Sequence, residues 1–352
     1  MSENSKPQVI KYFAAANSFN GFVSFFDVIF PSKEFDRIYV LKGGPGTGKS
    51  SFMKKMSAAL KDRKCEIDEI YCSSDPHSLD GIIAKKGSKK IAIIDGTAPH
   101  ERDAVIPGAI DEIINLGESW DSRWLTAKKD KILEVGKDKS LAYQTGYSYL
   151  KIAGSADELI NRTYETIFDK NKAKIKADEI LSDISTSTHQ EIKTKLISSF
   201  GRYGLYKIEE NFDQKGRVIR VFGDEFASTV FLDQLKELAA TKGLSFTHLP
   251  TPLDPSHTEG IYFENANLTV VKSDSGEINA GEFIANDRIY SEKSRRAKEL
   301  RKSALEEAER WFSIASDLHF QLEEIYGAAM NFEKNDEIFD RKLGEIDNIL
   351  QN

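Results

Sequence analysis

Cysteine, methionine, tryptophan and proline are scarce in this chain of 352 residues, with 2, 4, 3 and 9 copies respectively. Cys65 and Cys72 make neither a disulfide framework nor a Cys-x-x-Cys pair, which excludes the stapled scaffolds of small secreted domains. Cys72 reads as an ordinary strand-end residue. No apolar run approaches the ~20 residues that a membrane span needs. The start, Met1-Ser-Glu-Asn-Ser-Lys-Pro7, lacks the basic beginning and apolar stretch of a secretory signal. An excess of basic residues is also missing. The 49 Lys and Arg face 56 Asp and Glu, a net charge of −7, which argues against a generic grip on a nucleic-acid backbone. One local exception, Lys293-Ser-Arg-Arg-Ala-Lys-Glu-Leu-Arg-Lys302, lies on a helical stretch and reads as a solvated face. The remainder, 40% hydrophobic and 30% charged, is that of a soluble globular protein with chain enough for roughly one to three domains.

Against this background one run is rich in glycine. Arg37-Ile-Tyr-Val-Leu-Lys-Gly43-Gly-Pro-Gly-Thr-Gly48-Lys49-Ser50-Ser51 fits the pattern G-x-x-x-x-G-K-[ST] at Gly43, Gly48, Lys49 and Ser50. Ile38 to Leu41 has the composition of a strand. Ser51 to Leu60 reads as a helix with Phe52, Met56 and Ala59/Leu60 on one face. Strand, glycine loop and helix make an anion cradle, because successive backbone N–H groups and the positive helix end point at one place. Gly44, Gly46 and Gly48 allow close backbone approach, and Pro45, Thr47 and Ser51 complete the loop. Lys49 is expected on the β- and γ-phosphates of a nucleoside triphosphate and the Ser50 hydroxyl on Mg²⁺. With such a site present, a reducing cytoplasm is the expected setting.

A metal-side partner follows. Glu66 to Cys72 reads as a second strand and Ser73-Ser-Asp75-Pro76-His77 as a loop. Ile91-Ala-Ile-Ile-Asp95 is then an apolar strand ending in an acid, placed to hold Mg²⁺ beside Ser50. The next residue is Gly96, where many hydrolytic ATPases carry a water-orienting glutamate. Asp75 is the first candidate for that role, because ligands gather at the carboxyl ends of strands; it fits equally as an Asp-Pro turn starter. His100 and Glu101 are the other candidates. No Asn-Lys-x-Asp guanine-reading motif is present, so ATP is preferred to GTP.

The first half of the sequence is echoed in the second. Arg37-Ile-Tyr-Val-Leu-Lys-Gly43 matches Arg217-Val-Ile-Arg-Val-Phe-Gly223. Asp75-Pro-His-Ser-Leu-Asp-Gly81-Ile matches Asp254-Pro-Ser-His-Thr-Glu-Gly260-Ile, and Ile91-Ala-Ile-Ile94 matches Leu268-Thr-Val-Val271. The tails correspond too, Tyr149 to Ala153 with Trp311 to Ala315 and Tyr164 with Tyr326. An α/β unit of P-loop type is therefore expected twice, over 1–190 and 191–352, each followed by a helical arm from about Ser119 to Ile184 and from about Asp287 to Leu350. Ala297, Leu300, Ala304, Ala308, Trp311, Ile314, Leu318 and Leu322 form an apolar stripe for helix packing. The second copy is degenerate. Gly223-Asp-Glu-Phe-Ala-Ser-Thr229 replaces the phosphate loop, Asp224 and Glu225 would repel phosphate, and Lys272 stands where the first copy has Asp95.

The phosphate loop, the Ser73-Ser-Asp-Pro segment, Asp95-Gly-Thr-Ala-Pro-His100, Pro107-Gly108 and Ile113-Ile-Asn-Leu-Gly117 resemble a family of bacterial tandem P-loop ATPases, labelled as ATP-binding or nucleotide-kinase-like proteins. The resemblance spans nearly the whole chain, and it implies the duplicated fold and ATP as ligand. This chain departs from the family pattern by lacking a phosphate loop in its second half. Three functions remain open: an ATP-Mg²⁺ ATPase that couples nucleotide state to rearrangement of its halves, a kinase acting on a small metabolite or nucleotide, and a nucleotide-gated binding module with little turnover. The protein or small-molecule partner is unspecified.

Overall fold

The computed structural model describes residues 9–99, 101–186, 189–208, 216–285 and 288–351. The first half runs β1 (Val9–Phe13), β2 (Ala15–Ser18), β3 (Gly21–Ser24), α1 (Phe26–Ile29), β4 (Arg37–Lys42), α2 (Lys49–Asp62), β5 (Glu66–Tyr71), β6 (Leu79–Lys86), β7 (Lys89–Asp95) and β8 (Asp111–Asn115). Helices α3 (Ser122–Ala127), α4 (Lys129–Ile167) and α5 (Lys170–Leu181) follow. The second half runs β9 (Ile192–Thr194), β10 (Ser198–Gly201), β11 (Gly204–Lys207), β12 (Arg217–Phe222), α6 (Glu225–Thr241), β13 (Phe246–Pro250), β14 (Thr258–Phe263), β15 (Leu268–Lys272) and β16 (Ile278–Asn279). It closes with α7 (Arg288–Gly327) and α8 (Phe332–Gln351).

The architecture is mixed α/β, with two six-stranded sheets ordered β1-β5-β6-β7-β4-β8 and β9-β13-β14-β15-β12-β16. Strand directions also agree. In the first sheet β1/β5, β7/β4 and β4/β8 are parallel, and β6 is antiparallel to both neighbours. The second repeats this, with β14 the antiparallel strand. Even the break in register recurs, at Ile70/Tyr71 and at Leu249/Pro250. Ile38 to Leu41 and Ile91 to Ile94 are buried throughout, as strands covered on both faces must be. Among the described residues, no helix is long and apolar enough to cross a membrane.

Two compact units emerge, and neither is contiguous in sequence. One holds β1, Ser24–Thr145 and the chain from Arg310 onward; the other holds Ala16–Val23 and Gly146–Glu309. A linear division at 190/191 follows the two six-stranded sheets but neither the β2–β3 hairpin nor the helices, because the apolar faces of the arms find their partners elsewhere. In the first unit Ile346 and Leu350 of α8 join Met53, Leu60, Ile67 and Ile82 in one core. In the second, Ile160, Tyr164, Ala173 and Ala177 of α4 and α5 join Phe226, Phe231, Leu235 and Ile261.

Two expectations from the second arm change. Leu300 and Ile314 are 50% and 37% exposed, while Ala304, Ala308, Phe312 and Ala315 are buried. The buried face of α7 thus passes one residue beyond Trp311 and Ile314. Nor is the basic segment only a solvated face. Arg301 pairs with Asp157 at 2.6 Å and with Glu225 at 3.1 Å, its side chain 15% exposed.

On β13, burial, with Lys236 adding, pushes the His248 imidazole down from 6.5 to about 4, and Asp233 opposes. The unfolded chain binds that proton near 6.5 and the folded chain does so only near 4. Stability therefore falls as pH drops through this window. Urea unfolding at each pH should show His248→Gln losing less stability than the parent between these values; parallel curves would refute the assignment.

Candidate functional site

The first unit places the glycine-rich run between β4 and α2. Helix α2 starts from Gly48, which has φ +85° and no side chain to cap the first turn. Its leading N–H groups therefore have no intrahelical partner, and the positive helix end faces the loop. The loop is held by its own polar groups. The Thr47 hydroxyl donates to Gly44 O at 2.9 Å. Lys49 Nζ donates to Gly43 O and Gly44 O at 2.9 and 3.0 Å and stands 3.7 Å from Asp95 Oδ2. The Gly44–Thr47 stretch rests against α7 and α8: Asn335 Nδ2 donates to Thr47 O at 2.9 Å, and the Tyr326 and Trp120 rings meet at a tilt, centroids 5.6 Å apart, beside Gly44. At Gly46, where φ is +68°, an added Cβ would come within 2.3 Å of Glu323 O. The Glu323 carboxylate is held below its usual range by His319 first, then by Lys49 and the Gly46 N–H, against the opposing effect of burial.

The strand-end acid lies alongside. Asp95 ends β7 in register with Leu41 of β4. Its Oδ1 accepts from Thr97 N and Oγ1 at 2.8 and 2.6 Å. Burial pushes this carboxyl up and Lys49 opposes. The Ser50 hydroxyl accepts from Leu79 N at 3.0 Å. Ser50 and Asp95 offer hard oxygen donors suited to Mg²⁺. Among the described residues no group of three or more His, Cys, Asp or Glu could hold a metal ion.

Gly96 explains the missing glutamate, since a Cβ there would meet Val40 Cγ1 at 2.3 Å and Arg102 O at 2.9 Å. Asp75 lies in the turn joining antiparallel β5 and β6, not at a crossover between parallel strands. Its Oδ1 accepts from His77 N at 3.1 Å, and its carbonyl accepts from Ser78 N at 2.9 Å. That is the geometry of a turn starter. Glu101 is exposed, and His100 lies outside the described residues.

The corresponding corner of the second unit is built differently. Asp224 caps α6, its Oδ1 accepting from Phe226 N and Ala227 N at 3.0 and 3.1 Å. Burial works against this charge, yet the Tyr164 hydroxyl, the Ala227 N–H and Lys298 together hold Asp224 below its usual range. Lys272 stands 3.6 Å from Glu225. A cavity of about 660 Å³ opens beside Gly223, Glu225 and Lys272, lined by acids and bases that largely pair with one another. Sequence reasoning missed Glu323 and Asn335. The matched tyrosines were the available signal: Tyr164 bonds Asp224 at 2.5 Å, and Tyr326 flanks Gly44.

Comparison of the chain with protein-family models, curated proteins and solved structures returned no match.

The close approach at Gly46 yields a stability test. Gly46→Ala meets both a left-handed backbone and a carbonyl at 2.3 Å, so it should destabilise the first unit by about 1–3 kcal/mol. Denaturant unfolding of parent and variant measures this; an unchanged midpoint would mean that the loop and α7 do not pack as described.

Proposed function

We propose that the chain is a duplicated P-loop protein of the tandem ATPase type, binding one ATP-Mg²⁺ in its first half. The observation that carries this reading is the uncapped start of α2, with Lys49 and Asp95 converging beside it. Gly43 to Ser51 would bind phosphates through backbone N–H groups, and Lys49 would place its charge on the β- and γ-oxygens. Ser50 and Asp95 would hold Mg²⁺, which supplies charge neutralisation when bound. In the second half the Asp224 carboxylate takes the helix donors a phosphate would need, which supports a single site.

The loop's contacts with Glu323, Tyr326 and Asn335 favour an ATPase whose nucleotide state is sensed by α7 and α8. A phosphate entering the loop must share Lys49 and the Gly46 N–H with Glu323 or displace it. A ligand shifts a conformational equilibrium only by binding one state better, and this competition supplies the difference. Product analysis separates hydrolysis, which yields ADP and phosphate, from transfer to an acceptor.

Calorimetric titration with a non-hydrolysable ATP analogue should saturate near one equivalent per chain. Lys49→Ala should weaken binding by about 10- to 100-fold, the worth of a charged hydrogen bond, with an unchanged circular dichroism spectrum. Wild-type affinity in the folded variant, or two equivalents in the parent, would sink the single-site reading.

A further inference from the structure

The cavity of about 660 Å³ in the second unit has no part in the nucleotide reading. It opens where the parallel strands β12 and β15 end, at Phe222 and Lys272, the place where α/β sheets take their ligands. Its volume is that of a small-molecule site. Every residue around it belongs to the second unit.

One wall sets the charge of the ligand. Glu225 pairs with Arg301 at 3.1 Å and stands 3.6 Å from Lys272. Asp157 takes the Arg301 guanidinium at 2.6 Å, and Glu259 has Lys207 at 3.3 Å. These groups are one another's counter-ions, so a ligand with net charge would lose hydration without gaining a partner of its own. A phosphate is refused a second time, because Asp224 already holds the donors of α6. Paired groups keep hydrogen-bonding capacity, since an ammonium has three donors and a carboxylate several acceptor positions. Lys272 Nζ is loosely held, 3.4 Å from Thr229 Oγ1, and the Glu225 side chain is 50% exposed. Uncharged hydroxyls suit such a wall. The opposite character comes from Phe222, Leu205, Leu253 and Val271, which also line the cavity. A free sugar would leave them facing water, whereas a flat ring with apolar faces would cover them.

We propose that this cavity binds an unphosphorylated nucleoside, its sugar hydroxyls on Glu225 and Lys272 and its base against Phe222 and Leu205. Uncharged hydroxyls at one end and a flat ring at the other are what the two kinds of wall require together. The assignment concerns the second half alone and does not depend on ATP binding in the first.

Calorimetric titration of the full chain with adenosine, guanosine, cytidine and uridine in turn tests this, with ribose and the matching 5′-monophosphates as comparisons. At least one nucleoside should bind near one equivalent per chain, about ten-fold or more tighter than ribose and tighter than its own monophosphate. A non-hydrolysable ATP analogue in excess should leave it bound. Phe222→Ala should weaken the nucleoside by about 5- to 100-fold with an unchanged circular dichroism spectrum. Leu205→Ala, at a residue 59% exposed, repeats the test on the same wall without touching the core. Four outcomes would each overturn the proposal: no nucleoside binding at millimolar concentration, ribose or the monophosphate binding as well as the nucleoside, displacement by the ATP analogue, or parent-like affinity in every variant that folds.

Discussion

Each sheet is closed by helices that the other half of the sequence supplies. Ile346 and Leu350 of α8 belong to the core that contains Met53, Leu60 and Ile67, and Ile160 and Tyr164 of α4 belong to the core that contains Phe226 and Leu235. Two large side chains buried in this way are worth roughly 3–6 kcal/mol, a large share of the ~5–15 kcal/mol margin of a typical domain. Neither half therefore has a complete core of its own. The same exchange brings Glu323, Tyr326 and Asn335 to the glycine loop.

The two halves also show how one scaffold handles a helix start in opposite ways. Gly48 leaves the first turn of α2 without a side-chain acceptor. Asp224 supplies one to α6 from its own chain and is itself held by Tyr164 and Lys298. An intramolecular carboxylate satisfies the helix donors without the entropy cost of capturing a ligand. A corner so arranged gains rigidity and gives up anion binding.

Much of this was legible from local pattern. The strand before Gly43, the helix after Lys49, the apolar strand ending at Asp95 and the repeat of strands in the second half all follow from short-range periodicity and glycine placement. The exchange of arms was not, because the stripe on α7 tells which face is apolar and not which sheet it will cover. Asp75 looked like the end of a parallel strand because the antiparallel pairing of β5 and β6 is a tertiary fact. Glu323 lies on a long charged helix, where no spacing marks one glutamate as different.

The bond from Asn335 to the Thr47 carbonyl joins residues 288 positions apart. Contacts at such separations raise the contact order and slow folding. During synthesis the glycine loop emerges long before the helices that brace it, so the first sheet must wait, partly uncovered, for α7 and α8. Over that interval its α2 face is exposed apolar surface of the kind chaperones shield. The braced loop is therefore a property of the finished chain, and a first half released early would carry the motif without the site.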